Sequence, residues 1–131
     1  MADPQARADS KEQWESAWRA IRDAAKRQVA VFNSTFPDQR DKQIMLSDEA
    51  DSRFTVQREY NRVVKVIQVS ADASAIHLRR IETNRSTGGG PHVSHDDIRY
   101  GATTDGDVGV VSNGSILLPD KAAENILRLL F

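Results

Sequence analysis

Between positions 14 and 32 the apolar residues Trp14, Trp18, Ile21, Ala25, Val29 and Phe32 recur in steps of three and four. That spacing lays one stripe along an α-helix. Asp9 or Ser10 is suited to cap its first turn, with Glu12 or Gln13 three residues on completing a capping box. Glu15 before Arg19 and Asp23 before Arg27 are acid-base pairs four residues apart, which mark the opposite, solvated side. Pro37 cannot continue a helix and disfavours helical backbone at Phe36, so the helix should stop between Asn33 and Phe36.

Residues 44–46 are a short apolar piece suited to a first strand, followed by acidic turn chemistry over 47–52. From Arg53 the period becomes two: Phe54 and Val56 point one way, Thr55 and Gln57 the other, and a turn falls at 60–62. Val63, Val64, Val66, Ile67 and Val69 are broken only by Lys65 and Gln68, so this strand is apolar on both faces and reads as central. Residues 75–82 form the next strand, with Ile76 and Leu78 on one side and Ile81 out of phase; a bulge at Arg79 and Arg80 would reconcile them.

Residues 83–97, with Gly88, Gly89, Gly90 and Pro91, read as one long loop of low order. Ile98, Tyr100 and Ala102 alternate as a strand, Asp105-Gly106 makes a turn, and another strand begins at Val108. Asn113-Gly114 between apolar pairs predicts a two-residue hairpin that sets Val111 opposite Ile116, because a type I′ turn needs positive φ at both central positions. Pro119 and Asp120 then open a short helix in which Ala123, Ile126, Leu127 and Leu130 repeat at helical spacing.

The element order implies an α+β fold: a long N-terminal helix packed on a curved antiparallel sheet of six or seven strands, with a short C-terminal helix. Residues 1–9 read as a disordered tail and 10–131 as a single domain. Connections this short argue against parallel crossovers and hence against a doubly wound nucleotide-binding sheet.

With 131 residues, the chain is long enough to bury a core without disulfides or a structural metal. It has no cysteine, which removes thiolate nucleophiles, zinc ribbons and iron–sulfur clusters from consideration. A hydrophobic fraction of 39% with 28% charged residues belongs to a soluble globular protein. A polar start without a secretory apolar region implies a cytoplasmic location, and no apolar run approaches the length of a membrane span.

The formal net charge of −1 hides an uneven distribution, since residues 53–85 hold seven basic and three acidic groups. Arg58, Arg62, Lys65, Arg79, Arg80 and Arg85 would attract phosphates or carboxylates if they formed one patch. Only Tyr60 and Tyr100 are free to stack on bases, which argues against nucleic acid as a partner.

The densest candidate chemistry is the run from His92 to Asp97, where His92, His95 and Asp96 are nitrogen and oxygen donors of the kind zinc, iron or manganese accept. On extended backbone His92 and His95 fall on opposite sides, so shared ligation needs a folded loop. Gly88-Gly89-Gly90 lacks the following Lys-Ser/Thr of a phosphate loop, and no GxSxG elbow is present. His77 is a possible proton-transfer group near Tyr100 or Asp97 if the sheet curls, against the blander reading of a structurally satisfied histidine.

Without a catalytic signature or implied cofactor, the reading is a non-catalytic module that binds a protein or small ligand, with His77, Arg79, His92, His95 and Tyr100 as candidate ligand-binding residues. Alternatives are a metal-dependent or acid/base enzyme using His92, His95 and Asp96, and anion or nucleic-acid binding by the basic middle hairpins. If both helices cover one face, the other exposes either Val64 and Val66 or Val63, Ile67 and Val69, and a second copy of the chain is the natural cover. A homodimer is therefore expected.

Overall fold

The computed structural model describes residues 10–131. The expected tail at 1–9 and the capping expected of Asp9 and its neighbours lie outside the described residues. Helix α1 (Ser10–Ser34) is followed by a single 3-10 turn (Arg40–Lys42) and strands β1 (Met45–Ala50), β2 (Arg53–Tyr60), β3 (Val63–Ala71), β4 (Ala75–Asn84), β5 (His92–Ala102), β6 (Val108–Ser112) and β7 (Ser115–Leu117). Helix α2 (Pro119–Arg128) closes the chain. The strands form one open seven-stranded sheet in sequence order, every neighbouring pair antiparallel. The α+β architecture inferred from the periodicities is the one observed.

Each tight turn has a local cause. Asn61 (φ 51°) and Arg62 (φ 64°) link β2 to β3, and Asn113 (φ 51°) and Gly114 (φ 79°) link β6 to β7, so both are two-residue turns with positive φ at each position. The second sets Val111 opposite Ile116 as the Asn-Gly signal required. At β3–β4 the Asp72 carboxylate accepts from Ser74 N (2.8 Å), Ser74 Oγ (2.7 Å) and Ala75 N (3.0 Å), folding the turn about one acidic side chain.

The inner face of the sheet holds Phe54, Val56, Ile67, Val69, Ile76 and Leu78, which form one cluster with Trp18, Ile21, Ala25 and Val29 of α1 and with Ala123, Ile126 and Leu127 of α2. Trp18 stacks on Phe54 with ring centroids 5.5 Å apart and donates Nε1–H to Asp51 O at 2.7 Å. Asn33 holds the end of α1 to the start of the sheet: its Oδ1 accepts from Ile44 N at 2.7 Å and its Nδ2 donates to Ile44 O at 2.9 Å. On the wet side of α1 Glu15 pairs with Arg19 at 3.7 Å, whereas Arg27 bonds Asp120 of α2 at 2.9 Å in place of Asp23. A tertiary partner has displaced the local one.

Strand β3 is interior to the sheet, as its apolar pattern on both faces implied: Ile67, Val69 and Ala71 join the core, while Val64, 8% exposed, and Val66 lie on the face to which neither helix contributes. Two expectations are corrected. First, β4 runs without a bulge: its register is continuous with β3 and with β5, and Ile81 simply faces outward opposite Val66 and Val93. The sheet's irregularity lies instead at Asp48/Ala50 in β1, which extends through residues read as turn. Second, residues 83–97 are not one loop. Strands β4 and β5 reach Asn84 and His92, leaving only residues 85–91 as the connection.

The extension of β5 back to His92 has a physical reason outside local propensity. His92 pairs with Glu82, Val93 with Ile81 and Asp97 with His77 across the hairpin, and Arg80 reaches Asp96 at 3.7 Å. Opposite charges on facing strands supply what a run of His, Ser and Asp lacks in strand preference.

Candidate functional site

Because opposed residues of antiparallel strands share a face, the register assigns every candidate side chain to one side of the sheet. Outside lie three cross-strand rows: Arg53–Ser70–His77–Asp97, then Thr55–Gln68–Arg79–His95, then Gln57–Val66–Ile81–Val93. The first two line a shallow groove of about 350 Å³ whose walls include Arg53, Gln68, Ser70, His77, Arg79, His95 and Asp97. Three of the five ligand-binding candidates, His77, Arg79 and His95, therefore come together.

His92 does not join them. It lies on the helix side of β5 with Ser94 and Asp96, while His95 and Asp97 lie on the outside. The strand thus separates the two imidazoles proposed as joint ligands, the arrangement that only a folded loop would have avoided. Among the described residues no group of three or more His, Asp and Glu converges in a way that could hold a metal ion.

Tyr100 is also elsewhere. Its ring packs against Trp14 at 5.9 Å on the core side, and its hydroxyl is buried without a hydrogen-bond partner. Burial, helped by the charge of Asp72, pushes its pKa well above that of an ordinary phenol.

At the groove's end His77 is gripped from both sides: Nδ1 is 2.6 Å from Asp97 Oδ1 and Nε2 is 2.8 Å from Asp72 Oδ2. A neutral imidazole carries hydrogen on only one nitrogen, so both contacts are hydrogen bonds only in the protonated ring. The contacts with Asp97 and then Asp72 accordingly raise the His77 pKa. Asp72 moves the other way: the Ser74 hydroxyl, His77 and the Ser74 and Ala75 amides hold its carboxyl far below the usual range. With both nitrogens committed, the ring has none to offer a substrate as a base. The ring thereby ties the β3–β4 turn to β5.

Asp72 was invisible as a site residue in the sequence beyond its Asp-x-Ser turn signature, and Arg53, Gln68 and Ser70 reach the groove only through strand register.

The basic residues do not form one patch. Arg58, Lys65 and Arg80 lie on the helix side and Arg79 outside. Lys65 pairs with Glu82 at 3.7 Å, Arg80 with Asp96 at 3.7 Å and Arg85 with Glu59 at 3.3 Å, while the Arg58 guanidinium covers the Phe131 ring at 4.4 Å. Alternation across the pleat has divided the charge.

A larger cleft of about 600 Å³ runs between α1 and residues 106–108 and is lined by Gln13, Ser16, Ala17, Ala20, Leu118 and Pro119. Asp107 is its one titratable lining residue, so it offers little chemistry. No helix of the described chain is long and apolar enough to cross a membrane. Compared with protein-family models, with curated proteins and with solved structures, the chain matches none.

Proposed function

We propose that the protein is a non-catalytic binding module that works as a homodimer, with the outer face of its sheet as the working surface. One observation carries this reading: Val66, Ile81 and Val93 stand in a single outward row, Val64 beside them, and neither helix contributes to that face. Val93 is 44% exposed at the end of the row. Val66 and Ile81 are half-buried, and an apolar row that neither helix covers, beside a polar groove, is a surface suited to association. The committed state of His77 supports a binding role over acid/base catalysis.

Sedimentation equilibrium tests the reading. The chain is expected to be a dimer at tens of micromolar, and Val93→Lys, which adds a charge at an exposed position, to weaken the dimer at least tenfold. A monomer at a hundred micromolar would overturn the homodimer.

A second reading, binding of a small carboxylate or phosphate in the groove, is favoured by Arg79 and His95, which face each other across β4 and β5. Among the described residues Arg79 has no carboxylate partner and makes one 3.4 Å bond, to Gln68. Titration with inorganic phosphate should shift the His95 ring resonances, and Arg79→Gln should abolish the shift; unmoved resonances would reject this reading.

A further inference from the structure

Strand β5 has two different neighbours along its length. Residues 92–99 pair with β4, but β6 pairs only with Tyr100, Gly101 and Ala102. The side of β5 away from β4 is therefore without a ladder from His92 to at least Asp97, and all six of these residues are exposed. Among the described residues no other backbone hydrogen bond and no side-chain bond reaches the main chain of this segment. A strand border of this kind presents a row of donors and acceptors ready to pair with another strand. It contains no proline, lysine or bulge of the sort that blunts such edges; Pro91 stands just before it.

The sequence of the border complements itself. In a continuous sheet formed by two copies related by a two-fold axis, outward residues must meet outward residues, which restricts antiparallel self-pairing to registers that keep odd positions opposite odd ones. Centring on Ser94 sets Ser94 opposite its own copy, Val93 opposite His95, and His92 opposite Asp96, twice over. The last two pairs place an imidazole against a carboxylate on the helix side. Centring on Val93 or His95 forms no imidazole–carboxylate pair, and centring on Asp96 forms two, His95 with Asp97, but sets the Asp96 carboxylate against its own copy, which is unfavourable.

We propose that two copies of the chain join by antiparallel pairing of β5 with β5 about Ser94, merging their sheets into one whose outer face carries both apolar rows and both His77–Arg79–His95 grooves. The inference rests on the homodimer reading above and says where the copies meet. It sets Val93 beside the partner's His95 on the outer face and leaves Val66 and Ile81 facing outward on either side of the axis.

The chain has no cysteine, so one introduced thiol reports directly. Directly opposed residues have Cα atoms about 4.5–5.5 Å apart, within disulfide range. Ser94→Cys, oxidised with glutathione at tens of micromolar, should form a covalent dimer at least tenfold faster than Ser115→Cys, an exposed position on β7, a strand that takes no part in the pairing. Because Ser94 lies on the helix side, copies stacked through their outer faces would not bring the two thiols together. Ser94→Lys, placing like charges opposite each other at the axis, should weaken the sedimenting dimer at least tenfold. A dimer in which Ser94→Cys cross-links no faster than Ser115→Cys would overturn the edge pairing and leave the homodimer standing. A chain that sediments as a monomer would overturn both.

Discussion

The grip on His77 makes a claim about pH whose sign follows from the geometry. His77→Gln keeps a polar side chain of similar reach and one amide donor but removes the charge that allows both carboxylates to be bonded at once. Each contact joins partly exposed groups, with 38% of the His77 side chain, 57% of Asp72 and 67% of Asp97 accessible. Exposed ion pairs contribute about 0.2–1 kcal/mol each, so the two together stabilise the fold by about 0.5–2 kcal/mol. For a chain of this size that is a shift in Tm of about 2–8 °C.

A histidine whose folded pKa is raised contributes stability that is complete below its unfolded value of 6.5 and is lost as pH rises through the folded value. Asp72, depressed in the fold, contributes stability above its ordinary 3.8 that is lost as pH falls toward its lowered value, so it remains ionised through a scan between about pH 5 and 9. Thermal melts of wild type and His77→Gln should therefore differ most near pH 5.5 and converge near pH 9. About 0.5 M salt should narrow the low-pH gap by screening. The His77 ring resonance should titrate above 6.5. A gap that is constant with pH or grows as pH rises, or a midpoint at or below 6.5, would refute the argument that the ring is held protonated by two carboxylates.

Three further outcomes test the packing. A Cβ at Gly109 would sit 2.1 Å from Leu117 O, a backbone atom, whereas one at Gly101, its partner across β5 and β6, would meet the Ile116 Cδ1 and Val111 Cγ2 methyls at 2.5 and 2.8 Å. Gly109→Ala should therefore lower the urea midpoint more than Gly101→Ala, with costs of about 3 and about 1 kcal/mol, because a side chain can rotate away and the β7 backbone must move. Asn33→Ala strips both hydrogen bonds from the buried Ile44 peptide groups and should cost about 2–4 kcal/mol in denaturant melts, while loss of under 0.5 kcal/mol would show that water replaces them. Phe54→Ala, at a fully buried position stacked on Trp18, should cost about 3–5 kcal/mol and change tryptophan fluorescence in the residual native state.

Local signals in the sequence were enough for much of the fold. The Trp14-to-Phe32 stripe, Pro37, the Asn-Gly turn and the Pro119 start each act within a few residues, and each element they mark is present. Where the structure departs from these local signals, the deciding neighbour is distant in sequence. His92 to Asp97 has little strand preference of its own and is extended because β4 offers Glu82, Arg80 and His77 across from it. Ile81 is out of phase with Ile76 and Leu78 because its apolar partners, Val66 and Val93, stand on the outer face of neighbouring strands.

The candidate site divides in the same way. Residue type alone singled out His77, Arg79 and His95, since imidazoles and a guanidinium stand out in any chain, but it also drew in His92 and Tyr100, which the pleat and the core carry to the other side. Periodicity is a property of backbone geometry repeated along one segment, so the chain itself fixes its helices, its turns and which residues of each strand share a side. Which strands lie beside one another, in what register, and which border remains unpaired depend on contacts between segments far apart. Only the tertiary structure decided that His77 stands between Asp72 and Asp97, that the basic residues are divided between two faces, and that β5 keeps an open edge.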